Sequence, residues 1–409
     1  MEDRKNNRSH IAPVTELKPH CARSGKGASL KVALITNHPP PFRIPIYERV
    51  AKTPGIDFSA IFCSEREPNR HWDLPPLRFN HVFLKERFVT RGDNFIHNNP
   101  DVLSALGKLS PDVMVTTGFN PTFLYAFGYA VAKSIAYVPM TDGTDISEES
   151  LSRWHKAIRR IIYRRSKAFI AASHGGLKLY ESYGIPREKC FQSCLCIDNN
   201  AYSEAANAAN ATGKSFDLIF CGRIVPDKNP LFALDVAAGV AARLGRKVSI
   251  LFVGSGELEQ ELTRRAAFLS DRVETLINGH AQQDELPALY ASARVFLFPT
   301  ARDVWGVVGN EACAAGLPII VSPEAGVADE LVLEGENGFV CGLELEQWID
   351  RAVLLLSNDA VYQRFSQRSR ALASHYTFDH AAMGIVDACR YAVGLHRDVT
   401  PDLSDWKVG

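Results

Sequence analysis

Short apolar runs alternate with helical segments twice along this chain, and one alanine- and asparagine-rich stretch separates the two series. In the first series, Lys31–Asn37, Ile56–Phe62, Asp112–Gly118, Ser134–Met140 and Ala168–Ser173 read as strands. In the second, Phe216–Cys221, Val248–Val253, Val273–Ile277, Val295–Pro299 and Pro318–Val321 do so. Runs this short and this continuously apolar suit parallel strands covered on both faces. With helices between them they specify an α/β chain built on doubly wound sheets. A length of 409 residues is more than one core usually serves. The expected organisation is therefore two Rossmann-like domains facing a cleft, over 30–198 and 216–378. The spacer, 199–215, has almost no large apolar residue and is expected as the linker. A disordered tail is expected over 1–29, and a C-terminal helix and tail over 379–409.

Composition narrows the class further. Hydrophobic residues make up 46% and charged residues 22%, as in an ordinary soluble globular protein. No apolar run approaches the ~18 residues that span a bilayer, and the first thirty residues lack the apolar core of a signal peptide. Nine cysteines are an odd number, and the spacing of Cys190, Cys194 and Cys196 is not that of a zinc or redox pair. Free thiols in a reducing cytoplasm are expected. The zero net charge conceals a basic first half and an acidic second half, which suggests domains facing different partners.

In open α/β sheets, ligands bind outside the carboxyl ends of the strands, so the loops there hold the candidate residues. After the fourth strand of the second series comes Asp303-Val-Trp-Gly-Val-Val-Gly-Asn-Glu311, then Ala-Cys-Ala-Ala-Gly-Leu-Pro. Two carboxylates flank a glycine-broken segment that opens a helix. Gly306 and Gly309 would let backbone amides approach an anion, those of Val307 and Val308 among them, and the helix points its positive end the same way. After the first strand, Arg223 and Lys228 leave the same sheet edge and are placed to hold a diphosphate. Val253-Gly-Ser-Gly-Glu257 offers Gly254 and Gly256 for close backbone approach, or simply for a tight strand-to-helix turn. It lacks the third glycine and later acid of a dinucleotide fingerprint. Asn278-Gly-His280 adds a loop on the same rim.

Taken in order, G-R-x(4)-K, V-G-x-G-E, N-G-H with D-E-L-P-A-L-Y, acid-x(7)-E-A-x-A-x-G-x-P and E-G-E-N-G-F closely resemble the C-terminal domain of retaining GT-B glycosyltransferases of family four. The likeness is specific over residues 216–342 and looser from Lys31 to Val393. It implies transfer of a hexose from a nucleotide diphosphate sugar with retention, to a glycan or lipid-linked acceptor, in cell-surface polysaccharide synthesis. It implies no cofactor beyond that co-substrate and no tightly bound metal. Arg223 and Lys228 would hold the diphosphate and Glu311 the ribose hydroxyls. The amides from Gly306 to Val308 would reach the distal phosphate. Gly254 and Gly256 would line the donor pocket, with His280 near the base. Asp303 stands where the family usually has Glu, at the acid that contacts the donor sugar. A nucleotide-sugar epimerase or a non-catalytic nucleotide-sugar-binding protein on the same fold is the alternative.

The first domain would take the acceptor. Its proline-rich loop, Pro39-Pro-Pro-Phe-Arg-Ile-Pro45, offers Arg43 either to a phosphate in the cleft or as a surface residue on a stiff turn. Asp142 either orients the acceptor or donor sugar or makes a turn with Gly143. His174 is a further rim candidate. From Arg153 to Lys167 there are seven Lys and Arg and no acid. Trp154, Ile158, Ile161 and Arg165 share one helical face, which either meets anionic lipid or packs on the sheet. The protein is thus expected in the cytoplasm, with a peripheral place at the inner membrane face. No stacking-aromatic platform suggests nucleic acid.

Overall fold

The structure is a computed structural model describing residues 29–67, 76–91, 94–149 and 151–395. The tails expected at the two ends fall largely outside these. In chain order the first strands are β1 (Leu30–Thr36), β2 (Ile56–Phe62), β3 (Asn80–Phe83), β4 (Phe88–Arg91) and β5 (Asn94–His97). Next come β6 (Val113–Thr116), β7 (Ala136–Thr141), β8 (Phe169–Ala171) and β9 (Cys190–Gln192). The second series is β10 (Phe216–Cys221), β11 (Val248–Val253), β12 (Val273–Ile277), β13 (Ala293–Phe298), β14 (Ile319–Val321) and β15 (Gly338–Val340).

Two parallel sheets result. The first has the order β3-β2-β1-β6-β7-β8-β9 and the second β12-β11-β10-β13-β14-β15. β4 and β5 pair separately as an antiparallel hairpin. The strand order reverses beside β1 in one sheet and beside β10 in the other, and helices cover both faces of each. One buried apolar cluster runs from the inner face of the first sheet to that of the second, through Cys194–Ile197 and Trp305. The outer faces carry their own clusters. Among the described residues the cysteines are all free and buried, and no helix is long and apolar enough to cross a membrane.

The segment expected as a linker is helical over Asn199–Thr212. Asp198 caps it, accepting from Asn200 N at 3.1 Å. Alanine is the best helix former, and the few larger side chains point inward: Tyr202 is buried, its ring 5.8 Å from that of Tyr290. This helix packs on helices Leu286–Ala291 and Val307–Ala314, so it belongs to the packing of the second domain. The last helix, Phe378–Ala392, returns to the first domain and packs on helix Ile44–Lys52 and β9. Gly384 permits this contact, since a Cβ there would lie 1.5 Å from the Gln192 carbonyl oxygen. Arg49 fastens the same junction, with Nε 2.7 Å from Asp379 Oδ1 and its guanidinium over Phe378.

Candidate functional site

β10 and β13 pair in parallel at the point where the second sheet reverses its strand order, so the loops that follow them are neighbours. Lys228 ends the single 3-10 turn Pro226–Lys228 after β10 and reaches across to the loop after β13. Its ammonium donates to Asp303 Oδ2 at 2.6 Å, Thr300 Oγ1 at 3.1 Å and the Arg302 carbonyl at 3.1 Å. Three oxygens thus hold one point charge in place. The other Asp303 oxygen accepts from Trp305 N at 3.2 Å, an Asx-type turn.

Trp305 pins the loop from below. Its buried indole N–H donates to Asn310 Oδ1 at 2.7 Å, and Asn310 Nδ2 donates to the Leu195 carbonyl at 3.3 Å. From above, residues 324–327 run alongside: Asp303 N donates to Glu324 O at 3.1 Å and Gly326 N to Asp303 O at 2.9 Å. Gly306 then turns the chain into helix Val307–Ala314 with φ +94°, and no side chain caps that helix. Its first amides have no carbonyl partner within the helix, and its positive end faces the loop.

Glu311 lies one turn inside this helix and is only 5% exposed. The Tyr290 hydroxyl donates to its Oε2 at 2.8 Å. Burial pushes the carboxyl up to about 7, while the hydroxyls of Tyr290 and Tyr202 act to lower it.

A cavity of about 700 Å³ separates the two domains beside this loop. Asp303, Gly326 and Glu330 line it from the second domain, and Ser147, His174 and Lys178 from the first. Glu330 crosses the gap: its Oε2 accepts the His174 N–H at 2.8 Å, at the start of helix His174–Ser182. Burial pushes the Glu330 carboxyl up to about 8. Burial, with Arg187 and Lys178 nearby, lowers the His174 imidazole below its ordinary value.

The structure gathers the predicted residues unevenly. Asp303, Lys228, Gly306, Val307, Val308 and Glu311 cluster on one strand-end rim. Arg223 and His280 are exposed on neighbouring loops of that rim. Arg43 is not a surface residue on a stiff turn. It is 2% exposed, and its guanidinium donates to Asp142 Oδ1 at 2.5 Å and to Ser193 O and Oγ at 3.1 and 3.2 Å. Burial alone would lower its pKa, and Asp142 together with Tyr47, Cys196 and Cys194 more than reverses that. Asp142 is therefore the counter-ion of Arg43, tying the loop after β1 to those after β7 and β9.

Gly254 holds a close loop-on-loop contact. Its N–H donates to the Gly279 carbonyl at 2.7 Å rather than being available to a phosphate. A Cβ at Gly254 would lie 1.9 Å from Gly222 O, and one at Gly256 would lie 2.4 Å from Ile224 O. These glycines let the loop after β11 lie against the loop carrying Arg223. Gly254→Ala, at φ +134°, is expected to destabilise the chain by roughly 2–4 kcal/mol through steric overlap and backbone strain. Thermal unfolding checks it; an unchanged melting temperature would show that the loops separate freely.

Tyr290 ends the motif D-E-L-P-A-L-Y, which gives it no role of its own, and Tyr202 and Glu330 stand outside every motif singled out from the sequence. Glu330 lies between β14 and β15, and Tyr202 in the spacer 199–215, where no local pattern marks either.

With this geometry in hand, residues 203–372 match the family described as Glycosyl transferases group 1. That stretch covers most of the second domain and carries the family's sequence pattern. The described residues have the GT-B fold of two Rossmann-like domains. It is 16% identical to the Anabaena protein Alr3699/HepE, solved in complex with UDP, at a TM-score of 0.67 over 87% of this chain and 98% of that one. Among curated relatives, the Staphylococcus aureus capsular polysaccharide biosynthesis glycosyltransferase CapM is 30% identical over 56% of each chain. The Nocardia farcinica D-inositol 3-phosphate glycosyltransferase is 26% identical over 56% of this chain and 53% of its own. The chain spans about half the length of these curated relatives. In the group 1 domain, the Lys228–Asp303 pair and the uncapped helix lie on the segment that carries the family pattern.

Proposed function

We propose that this chain is a retaining glycosyltransferase that moves a hexose from a nucleotide diphosphate sugar to a glycan or lipid-linked acceptor in cell-surface polysaccharide biosynthesis. The observation that carries the reading is Lys228, locked against Asp303 beside an uncapped helix N-terminus, with the buried Glu311 one turn behind. A diphosphate fits between an ammonium and free helix amides, and a ribose fits against a buried carboxylate. The names of CapM and of the UDP-bound Anabaena protein agree with this reading.

In the reaction, the bond from the anomeric carbon to the diphosphate breaks and a bond to the acceptor oxygen forms on the same face. The acceptor proton passes to the departing phosphate. Lys228, Arg223 and the amides from Gly306 to Val308 stabilise the charge on the leaving diphosphate, an electrostatic contribution that often dominates. The reading assigns that charge to these groups rather than to a metal ion. Asp303 faces the cavity where the sugar would sit, its charge balanced by Lys228, and Glu311 orients the ribose.

Thermal shift with UDP-, GDP- and ADP-sugars tests the reading. One donor class should raise the melting temperature, since at about a hundred times Kd a ligand adds about 2.7 kcal/mol. That donor should then release nucleoside diphosphate only with an acceptor present. Absence of any shift, or alteration of the sugar without an acceptor, would overturn it.

A further inference from the structure

Helix Arg153–Arg165 presents two unlike faces. Its inner face is occupied: Ile162 and Tyr163 are buried, and Arg159 turns inward to pair with Glu148 and lie over the Phe119 ring. The sequence left open whether the stripe of Trp154, Ile158 and Ile161 packs on the sheet or faces outward. Trp154 is 81% exposed and Ile161 60%. Seven positions apart, they lie on one side of the helix two turns from each other, with the exposed Arg160, Arg164 and Arg165 around them.

At the C-terminal end of the helix the cationic surface folds into a pocket of about 560 Å³. Arg164, Arg165, Lys167 and Lys189 line it with Tyr391, and no carboxylate does. Cations near a helix C-terminus are favourable in themselves, which accounts for Arg164 and Arg165. It accounts neither for an exposed tryptophan at the other end nor for Lys189, which comes from a separate segment.

We infer that this outer face docks on an anionic lipid bilayer, Trp154 and Ile161 entering the interface and the surrounding cations meeting headgroup phosphates. Charge complementarity selects this occupant. A cationic rim around large apolar side chains matches a negatively charged interface, where tryptophan is favoured. A second copy would bring the same cations against the first and be repelled. The segment that precedes the helix, including Ser147 and the exposed Ile146, lines the interdomain cavity, so docking would set the cleft beside the membrane. The inference goes beyond the glycosyl transfer reading and does not depend on it, because lipid binding needs neither donor nor acceptor.

Flotation of the full chain with vesicles tests it. The chain should float with phosphatidylcholine–phosphatidylglycerol vesicles, stay behind with phosphatidylcholine alone, and detach as salt rises. Reversing three charges (Arg160→Glu, Arg164→Glu and Arg165→Glu together) should weaken partitioning at least about a hundredfold. Trp154→Ser should weaken it about tenfold or more. Both variants alter exposed side chains and should keep the parent melting temperature. If the triple variant does not, Arg160→Gln alone should cost about fivefold. Indifference of the parent chain to anionic vesicles overturns the inference, as does undiminished binding by the variants. So would a dimer that Trp154→Ser dissociates, or binding to single-stranded nucleic acid in place of vesicles.

Discussion

Lys228→Ala is expected to lower glycosyl transfer by roughly 10²–10³-fold, the usual effect of removing one preorganised donor to a developing anion. The geometry makes the loss specific. The ammonium is already held by Asp303, Thr300 and the Arg302 carbonyl, so little reorganisation is needed when a diphosphate arrives. Arg223 cannot substitute, because it stands exposed on the loop and is not drawn into this set of oxygens. The fold should survive. The Lys228–Asp303 pair is partly exposed and links two loops at the sheet edge, where such pairs contribute about 1 kcal/mol or less. The measurement is kcat/KM for nucleoside diphosphate release, with thermal unfolding beside it. An unimpaired rate removes Lys228 from phosphate binding; a collapsed melting temperature reassigns it to structure.

The same pair shows what the sequence could and could not disclose. Continuous apolar runs mark β1, β2 and the four central strands of the second sheet, because buried parallel strands have little room for polar residues. β3 has the sequence Asn-His-Val-Phe and lies at an edge, and β9 and β15 are three residues each. Such strands are fixed by neighbours rather than by their own pattern. The stretch 199–215 reads as a linker because it has almost no large apolar residue, although alanine favours helix and Tyr202 packs beside Tyr290. At the site, Asp303, Lys228 and Glu311 were legible because motif spacing sets which loops they occupy. Arg43 was not, since whether an arginine stands at the surface or is buried against Asp142 and Ser193 depends on partners 99 and 150 positions away. Gly254 and Gly256 could be read either way, because loop-on-loop contact demands glycine as firmly as a phosphate does.

Nucleotide binding is expected to tighten as pH rises toward 7 and to level off above it, through Glu311. In the unliganded chain, burial holds this carboxyl up to about 7, so below that pH it is mostly protonated. Ribose hydroxyls donating to it would favour the ionised form, and binding must then release a proton. Affinity should therefore fall by up to about tenfold for each pH unit below 7. Glu311→Gln should abolish this dependence and weaken binding at pH 8 by about 1.5–3 kcal/mol, the contribution of hydrogen bonds to a charged group. Titration calorimetry with UDP, or whichever nucleotide the thermal screen selects, reads both effects and, in buffers of different ionisation enthalpy, counts the proton. The free chain should show the opposite trend. Glu311 and Glu330 keep protons in the fold, with values of about 7 and about 8, that an unfolded chain loses near 4.5. Their joint contribution to stability is complete below the unfolded value and declines as pH rises through the folded ones. Ligand should oppose that decline only at Glu311, since Glu330 faces His174 across the cavity and not the nucleotide rim. Proton release that persists in Glu311→Gln would move the ribose contact elsewhere.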